Sequence, residues 1–167
     1  MSHSAPHPLA EPVKEVHRTF PTGVTVVTTS VDGQPYGLAV NAFSSISLDP
    51  PLVLVCVAET SATYTRLFLG DHLAVNVLSH QQRALATRFA QSGGDKFAGV
   101  QWHPSVGGSP VLAEVSAYLE LEIDKRVRAY THTIFVGRVV EAETYGIPPL
   151  IYLSGALFDG SVLREAT

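Results

Sequence analysis

From Val24 to Thr29, valines interleave with threonines, Asp32-Gly33 follows as a turn pair, and Tyr36 to Val40 resumes an extended pattern. β-Branched residues favour the pleated backbone, so this stretch predicts a hairpin. Asp49-Pro50-Pro51 breaks the chain, and the unbroken apolar run Leu52 to Val57 predicts a strand buried on both faces. The period then changes: Tyr64, Leu67 and Phe68 recur at helical spacing behind Thr60 or Ser61 as N-cap, which predicts a short helix. Leu73 to Leu78 returns to strand character. Ser79 with Gln82 forms a capping box that opens a second helix through Leu85, Phe89 and Ala90, ended by Gly93-Gly94. Ser92 to Pro110 is a Gly-, Ser- and Pro-rich loop, with a helical turn at Asp95 to Gly99. Ala117, Leu119, Leu121 and Ile123 then alternate with Tyr118, Glu120, Glu122 and Asp124, a strand whose polar set faces water. A turn at Tyr130-Thr131, a strand from Thr133 to Val140 and a last strand from Leu150 to Leu153 complete the pattern.

These elements amount to six or seven strands and two short helices. The strands mostly follow one another without helices of crossover length. A mainly β, antiparallel, Greek-key-like barrel with short peripheral helices therefore fits better than a doubly wound sheet. Residues 1–12 hold His3, Pro6, His7, Pro8 and Pro12 without an apolar period and read as a mobile lead-in, leaving 13–167 as one domain. His17, Arg18 and Phe20 read as part of an entry helix that packs on the barrel.

Composition sharpens this picture. The chain has 167 residues, 46% of them hydrophobic and only 16% charged, with a net charge of −4. A charged fraction below the roughly 25% of ordinary globular chains argues for generous burial, including a subunit interface. The acidic balance disfavours a nucleic-acid partner. The lone cysteine, Cys56, reads as a core thiol; it has no partner for an intrachain disulfide, and a cytosolic location follows. The longest aliphatic run, Leu52 to Ala58, is seven residues, against the ~20 needed to span a bilayer. The beginning of the chain carries no basic-then-apolar signal pattern, so no membrane association is expected.

Motifs mostly exclude. Glycine-rich phosphate loops, H-E-x-x-H and G-x-S-x-G are all missing. Histidines at 3, 7, 17, 72, 80, 103 and 132 show no ligand pair at helical spacing, so no metal site is expected. Glu120 and Glu122 read as a solvated strand edge rather than a glycosidase pair. Trp102 reads as the packing anchor of its loop and His103 as a surface residue.

What remains is the hydroxyl-rich segment Asn41-Ala42-Phe43-Ser44-Ser45-Ile46-Ser47, which lacks a simple strand period. Small residues with free backbone N–H groups suit the polar edge of a flat heterocycle or a phosphate. An ordinary bulged strand would also account for the segment. Ser61-Ala62-Thr63, opening a helix, is a second phosphate candidate beside the plain N-cap reading.

Several strings together resemble the flavin reductase family, the small components of two-component flavin-dependent monooxygenases. They are Phe20-Pro21-Thr22-Gly23-Val24-Thr25-Val26-Val27-Thr28, the block from Asn41 to Val53, Ala74-Val75-Asn76-Val77-Leu78, Asp95-Lys96-Phe97-Ala98-Gly99 and His132-Thr133-Ile134-Phe135-Val136-Gly137. The resemblance runs in one register from about Val16 to Gly155. It implies a split β-barrel, a homodimer, bound FMN or FAD, and flavin reduction by NADH or NADPH. The reduced flavin would pass to an oxygenase partner.

Carried over position by position, the resemblance sets Ala39, Val40, Asn41, Ala42, Phe43, Ser44 and Ser45 along the flavin ring, with Cys56, Val57 and Ala58 on the ring's other side. Ser61, Ala62 and Thr63 would meet the flavin phosphate, helped by Arg88 or Phe89. His132 would lie near the nicotinamide. The chain departs from the family at Ala39, commonly Thr, at Tyr130-Thr131, usually Gly-Asp, and at the closing Gly155-Ala156-Leu157-Phe158. Two other expectations stay open: a split-barrel flavin oxidase of the pyridoxamine-phosphate-oxidase type, and a non-enzymatic flavin-binding module.

Overall fold

The computed structural model describes residues 7–166, so the first six residues of the expected lead-in lie outside it. The chain runs through α1 (Ala10–Arg18), β1 (Thr22–Gly23), β2 (Thr25–Val31), β3 (Gln34–Val40), β4 (Phe43–Leu48), β5 (Pro51–Ala58) and α2 (Tyr64–Leu69). It continues through β6 (His72–Val77), α3 (Arg83–Ala90), β7 (Trp102–Pro104), β8 (Pro110–Leu112), β9 (Ala117–Ala129), β10 (His132–Thr144), β11 (Leu150–Leu153) and β12 (Ala156–Asp159). The fold is mainly β, and every strand pair is antiparallel.

The predicted hairpin is β2–β3. Asp32 (φ 51°) and Gly33 (φ 75°) form its turn, the pair of positive angles a two-residue hairpin loop requires. Ser154 (φ 52°) and Gly155 (φ 82°) join β11 to β12 in the same way.

Seven strands form one sheet in the order β3-β2-β6-β9-β10-β5-β4. Its two edges, β3 and β4, are consecutive in the chain and separated only by Asn41 and Ala42. The three Cα steps from Val40 to Phe43 reach about 11 Å at most, so the sheet curls until its edges meet there. No ladder joins them. The expected split barrel is thus an antiparallel sheet that curls without closing, with β3 and β4 left as its edges. Inside the curl lie Val27, Val55, Leu67, Leu73, Leu121 and Phe135. A second cluster of Val26, Leu78, Phe89, Phe97, Leu112 and Leu150 joins the sheet to α3, to the β7–β8 hairpin and to the three-stranded sheet β1-β11-β12.

Burial departs from the sequence pattern in three places. β5 alternates rather than being covered twice: Val53, Val55 and Val57 are buried, while Leu52, Leu54, Cys56 and Ala58 are only partly covered in the single chain. The polar face of β9 is not wet at its beginning, since Tyr118 and Glu120 lie beneath the β7–β8 hairpin, at 3% and 0% exposure. From Glu122 onward that face meets water, as expected, with the Glu122 side chain paired to Arg138 at the surface and Asp124 exposed. The entry helix α1 begins at Ala10, inside the expected lead-in, and buries none of its residues; Phe20 beyond it is 69% exposed.

Helix starts also shift. Ser61 does not cap α2; its hydroxyl accepts the Thr63 N–H at 3.3 Å, and α2 begins at Tyr64 without a side-chain cap. Half of the capping box forms at α3. Gln82 Oε1 accepts the Ser79 N–H at 3.0 Å, while Gln82 Nε2 donates to the Ala113 carbonyl at 2.7 Å, and the helix starts at Arg83. Asp95 to Gly99 is a turn rather than a helical one, held by the Asp95 carboxylate on the Phe97 N–H at 3.0 Å. Trp102 meets Phe97 edge-on at 6.2 Å, anchoring its loop as expected.

Candidate functional site at the open edges of the sheet

Ala39 and Val40 end β3, Asn41 and Ala42 cross the gap, and Phe43, Ser44 and Ser45 open β4. β4 carries a bulge at Ile46, between the pairs Ser45↔Val53 and Ser47↔Leu52, and this is why the segment shows no clean two-residue period. The crossing is held by the Phe43 N–H on the Asn41 carbonyl and the Cys56 N–H on the Ala42 carbonyl, both 3.0 Å. Because β3 and β4 are sheet edges, each presents a row of backbone N–H and C=O groups without a ladder partner. Such groups need a partner wherever water is displaced.

Two cavities flank this crossing. One, of about 780 Å³, is lined by Asn41, Ala42, Phe43 and Ser44 together with Phe20, Leu54, Tyr152 and residues of α1. The other, of about 370 Å³, is lined by Ala39, Val40 and Asn41 with Val24, Ala86, Thr87, Gly155 and Leu157. Asn41 and Tyr152 belong to both.

The remaining sequence candidates fall into separate groups. Cys56 and Ala58 point outward from β5, and burial pushes the Cys56 thiol up from its ordinary pKa. Val40, Val57 and Phe89 turn their side chains into the core, so contact with a ligand is open to them only through the backbone. His132 opens β10 opposite Ala58, exposed, with Nδ1 sharing a hydrogen bond with the Thr131 hydroxyl at 2.9 Å. It lines none of the cavities described here. Strand spacings place it on the order of 10 Å from Ala42.

Ala62 and Thr63 line a third cavity of about 340 Å³ with Tyr36, Gly37, Arg66, Lys96 and Asp95, whose carboxylate accepts the Phe97 N–H. The Thr63 hydroxyl is spent on the Gly37 carbonyl at 3.0 Å. The Arg66 guanidinium stacks over the Tyr36 ring at 5.0 Å. Lys96 Nζ donates to the carbonyls of Phe89 at 3.1 Å and Gly37 at 3.4 Å, which leaves one of an ammonium's three donors over. Burial pulls the Lys96 amine below its ordinary pKa. Arg88 does not line this cavity; it is exposed and donates to the Ala98 carbonyl at 2.9 Å. Phe89 supports the cavity from below, since a Cβ on Gly37 would stand 2.8 Å from its ring. The sequence gives Lys96 a place in a motif but no role, because its partners are main-chain carbonyls, which carry no residue-type signature.

Residues 17–161 match the family described as flavin reductase like domain. The chain belongs to that family. It is 39% identical over 155 residues to the reductase subunit of stachydrine N-demethylase from Rhizobium meliloti, covering 92% of this chain and 67% of the relative. It is 41% identical over 136 residues to the reductase component of the 4-nitrophenol 4-monooxygenase/4-nitrocatechol 2-monooxygenase of Rhodococcus opacus, covering 81% and 73%. Against other flavin reductase relatives it spans about half their length, 50% and 47%. In structure it is similar to the NADH:FAD oxidoreductase SgcE6 of Streptomyces globisporus, solved with NAD and FAD fragments, with a TM-score of 0.85 and 34% identity over 98% of this chain and 97% of that one. Among the described residues, no helix of this flavin reductase-like chain is long and apolar enough to cross a membrane.

Proposed function

We propose that this chain is an NAD(P)H-dependent flavin reductase of the split-barrel type, taking NADH or NADPH as donor and FMN or FAD as acceptor, and supplying reduced flavin to a flavin-dependent monooxygenase. The observation that carries this reading is the meeting of two unpaired sheet edges at Asn41–Ala42, beside a cavity of about 780 Å³, in a chain of this family. When bound, the flavin and the nicotinamide supply the hydride chemistry themselves. The chain's task is to orient them.

In this reading the free N–H groups between Ala39 and Ser45 hold the polar edge of the flavin ring and stabilise negative charge that develops there. Lys96 and Arg66, beside Ser61, Ala62 and Thr63, take the flavin phosphate. Cys56 to Ala58 close the side of the ring facing β5, and His132 positions the nicotinamide without exchanging a proton. A homodimer is part of the proposal, supported by the half-covered outer row of β5 and by Leu48 and Ile46 on the adjacent edge, at 87% and 47% exposure. A reducing, cytoplasmic compartment suits its unpaired cysteine.

Purified protein mixed with excess FMN or FAD and NADH or NADPH tests the activity. Flavin-dependent loss of the nicotinamide absorbance is the expected result; flavin binding without that loss would leave a flavin-binding module. Ser45→Leu should weaken flavin binding with the fold intact, and sedimentation at micromolar concentration should show a dimer.

A further inference from the structure

We infer that the face of α1 carrying Lys14, His17 and Arg18 is the phosphate-binding arm for the nicotinamide dinucleotide; the inference rests on the reductase reading above. These residues stand at i, i+3 and i+4, so they share one side of the helix. All three line the 780 Å³ cavity opposite Asn41 to Ser44, and among the described residues no acidic one lines it, although the chain as a whole carries a net charge of −4. Phe20 and Tyr152 lie in the same wall, aromatic faces suited to a nucleotide's planar rings. Beside the sheet edge that takes the flavin ring, this cavity thus offers an aromatic wall and a cationic flank, the complements of a second planar ring and a pyrophosphate.

The helix is held in place although it buries nothing. The Arg18 carbonyl accepts both the N–H and the hydroxyl of Ser154, at 3.2 and 2.9 Å, fastening the end of α1 to the β11–β12 turn. Lys14 and Arg18 are paired with Glu11 and Glu15 on their own helix, in exposed contacts that are individually weak. A dianionic pyrophosphate replaces such partners at little cost.

Two cavities carry more cations than carboxylates, Arg66 and Lys96 against Asp95 in one and Lys14 and Arg18 in the other, and they serve two phosphate-bearing reactants. The Arg66–Lys96 cavity opens beside Gly37, four residues along β3 from Asn41, or about 13 Å of strand. The α1 cavity opens beside Asn41 itself. The flavin phosphate is served by the former, which leaves the α1 cations for the second dinucleotide.

The double variant Lys14→Ala/Arg18→Ala tests this, with NAD+ binding followed by calorimetry, FMN and FAD binding by fluorescence titration, and steady-state kinetics with NADH. The expected result is an NAD+ Kd and an NADH KM raised about fivefold, with kcat and both flavin affinities within about twofold of the parent. Glu15→Gln, which releases Arg18, should shift KM the other way. Because α1 buries no residue, an unchanged melting curve should accompany both variants. Unchanged NAD+ and NADH parameters overturn the inference. So does a loss confined to FAD, which would assign the cations to the flavin's own pyrophosphate. A parent protein that oxidises neither NADH nor NADPH overturns the reductase reading, and the inference falls with it.

Discussion

The Ser109 hydroxyl donates to Glu120 Oε1 over 2.8 Å, and both side chains are closed off from solvent. The other carboxyl oxygen, Oε2, has no hydrogen-bond partner among the described residues, and neither has the hydroxyl of Ser105. The loop tip between them is shut tightly: a Cβ on Gly107 would stand 2.2 Å from Glu120 Oε1 and 2.6 Å from the His72 ring. Glycine is the residue that fits.

Burial pushes the Glu120 carboxyl above its ordinary pKa, with the neighbouring hydroxyls of Ser109 and Ser105 and nearby His72 opposing and Glu141 reinforcing the shift. The folded chain therefore binds this proton more tightly than the unfolded chain does. The group's contribution to stability is full below the ordinary carboxylate range and is lost as pH rises through the raised value. Glu120→Gln keeps an acceptor for Ser109, offers a donor toward Ser105 and removes the titration. Urea unfolding at pH 5 and pH 8 should show the parent losing stability relative to the variant at the higher pH. Parallel profiles would show that Glu120 does not carry the pH dependence.

Asn76 joins three strands through one amide. Its Nδ2 spreads two N–H donors over three acceptors, the Val26 carbonyl at 3.1 Å, the Thr28 hydroxyl at 3.1 Å and the Pro110 carbonyl at 3.2 Å, and its Oδ1 accepts the Leu112 N–H at 2.8 Å. Asn76→Ala strands these buried groups in β2 and β8, and should cost about 2–4 kcal/mol in chemical denaturation. A loss under about 0.5 kcal/mol, within the ordinary range for surface changes, would show the amide to be dispensable.

Local chemistry made the hairpins and strands legible. Asp32-Gly33 carries its own turn angles, and the alternation from Ala117 to Asp124 is a strand in any context. Which face of that strand is wet was not legible, because Glu120 is covered by Ser105 to Ser109, a loop whose docking depends on Gly107 and on the β7–β8 pairing. The Asn41–Ser45 strip was found for its small polar residues. The physical reason it is available, that β3 and β4 are the two unpaired edges of one curled sheet, lies in long-range pairings that leave no local mark. Lys96 escaped because its ammonium reaches the carbonyls of Gly37 and Phe89, and carbonyls have no residue-type signature.

His132 stands exposed at the head of β10, tied to Thr131 and opposite Ala58. In the proposed reaction it orients the nicotinamide, and loss of such a contact costs roughly tenfold in rate. His132→Ala should lower kcat/KM for NADH by about that factor while FMN affinity stays within about twofold. Equal losses of both would indicate a structural histidine.

Lys96 offers the sharpest test of where the phosphate lies. Two of its three donors are committed to carbonyls, and the third is available to the cavity it shares with Thr63 and Arg66. Lys96→Met keeps the length of the side chain and removes the charge. A charge-assisted hydrogen bond of this kind is worth about 1.5 kcal/mol, so FMN affinity should fall roughly tenfold. Riboflavin, which has the same ring and no phosphate, should bind parent and variant alike. Burial lowers the pKa of this amine, so the parent's preference for FMN over riboflavin should fade on raising the pH earlier than an ordinary lysine would allow. The variant should show no such fading. Equal losses for FMN and riboflavin would mean that Lys96 acts by holding Gly37 and Phe89 in place. Unchanged FMN affinity would move the phosphate away from this cavity, with Arg88 the next residue to replace.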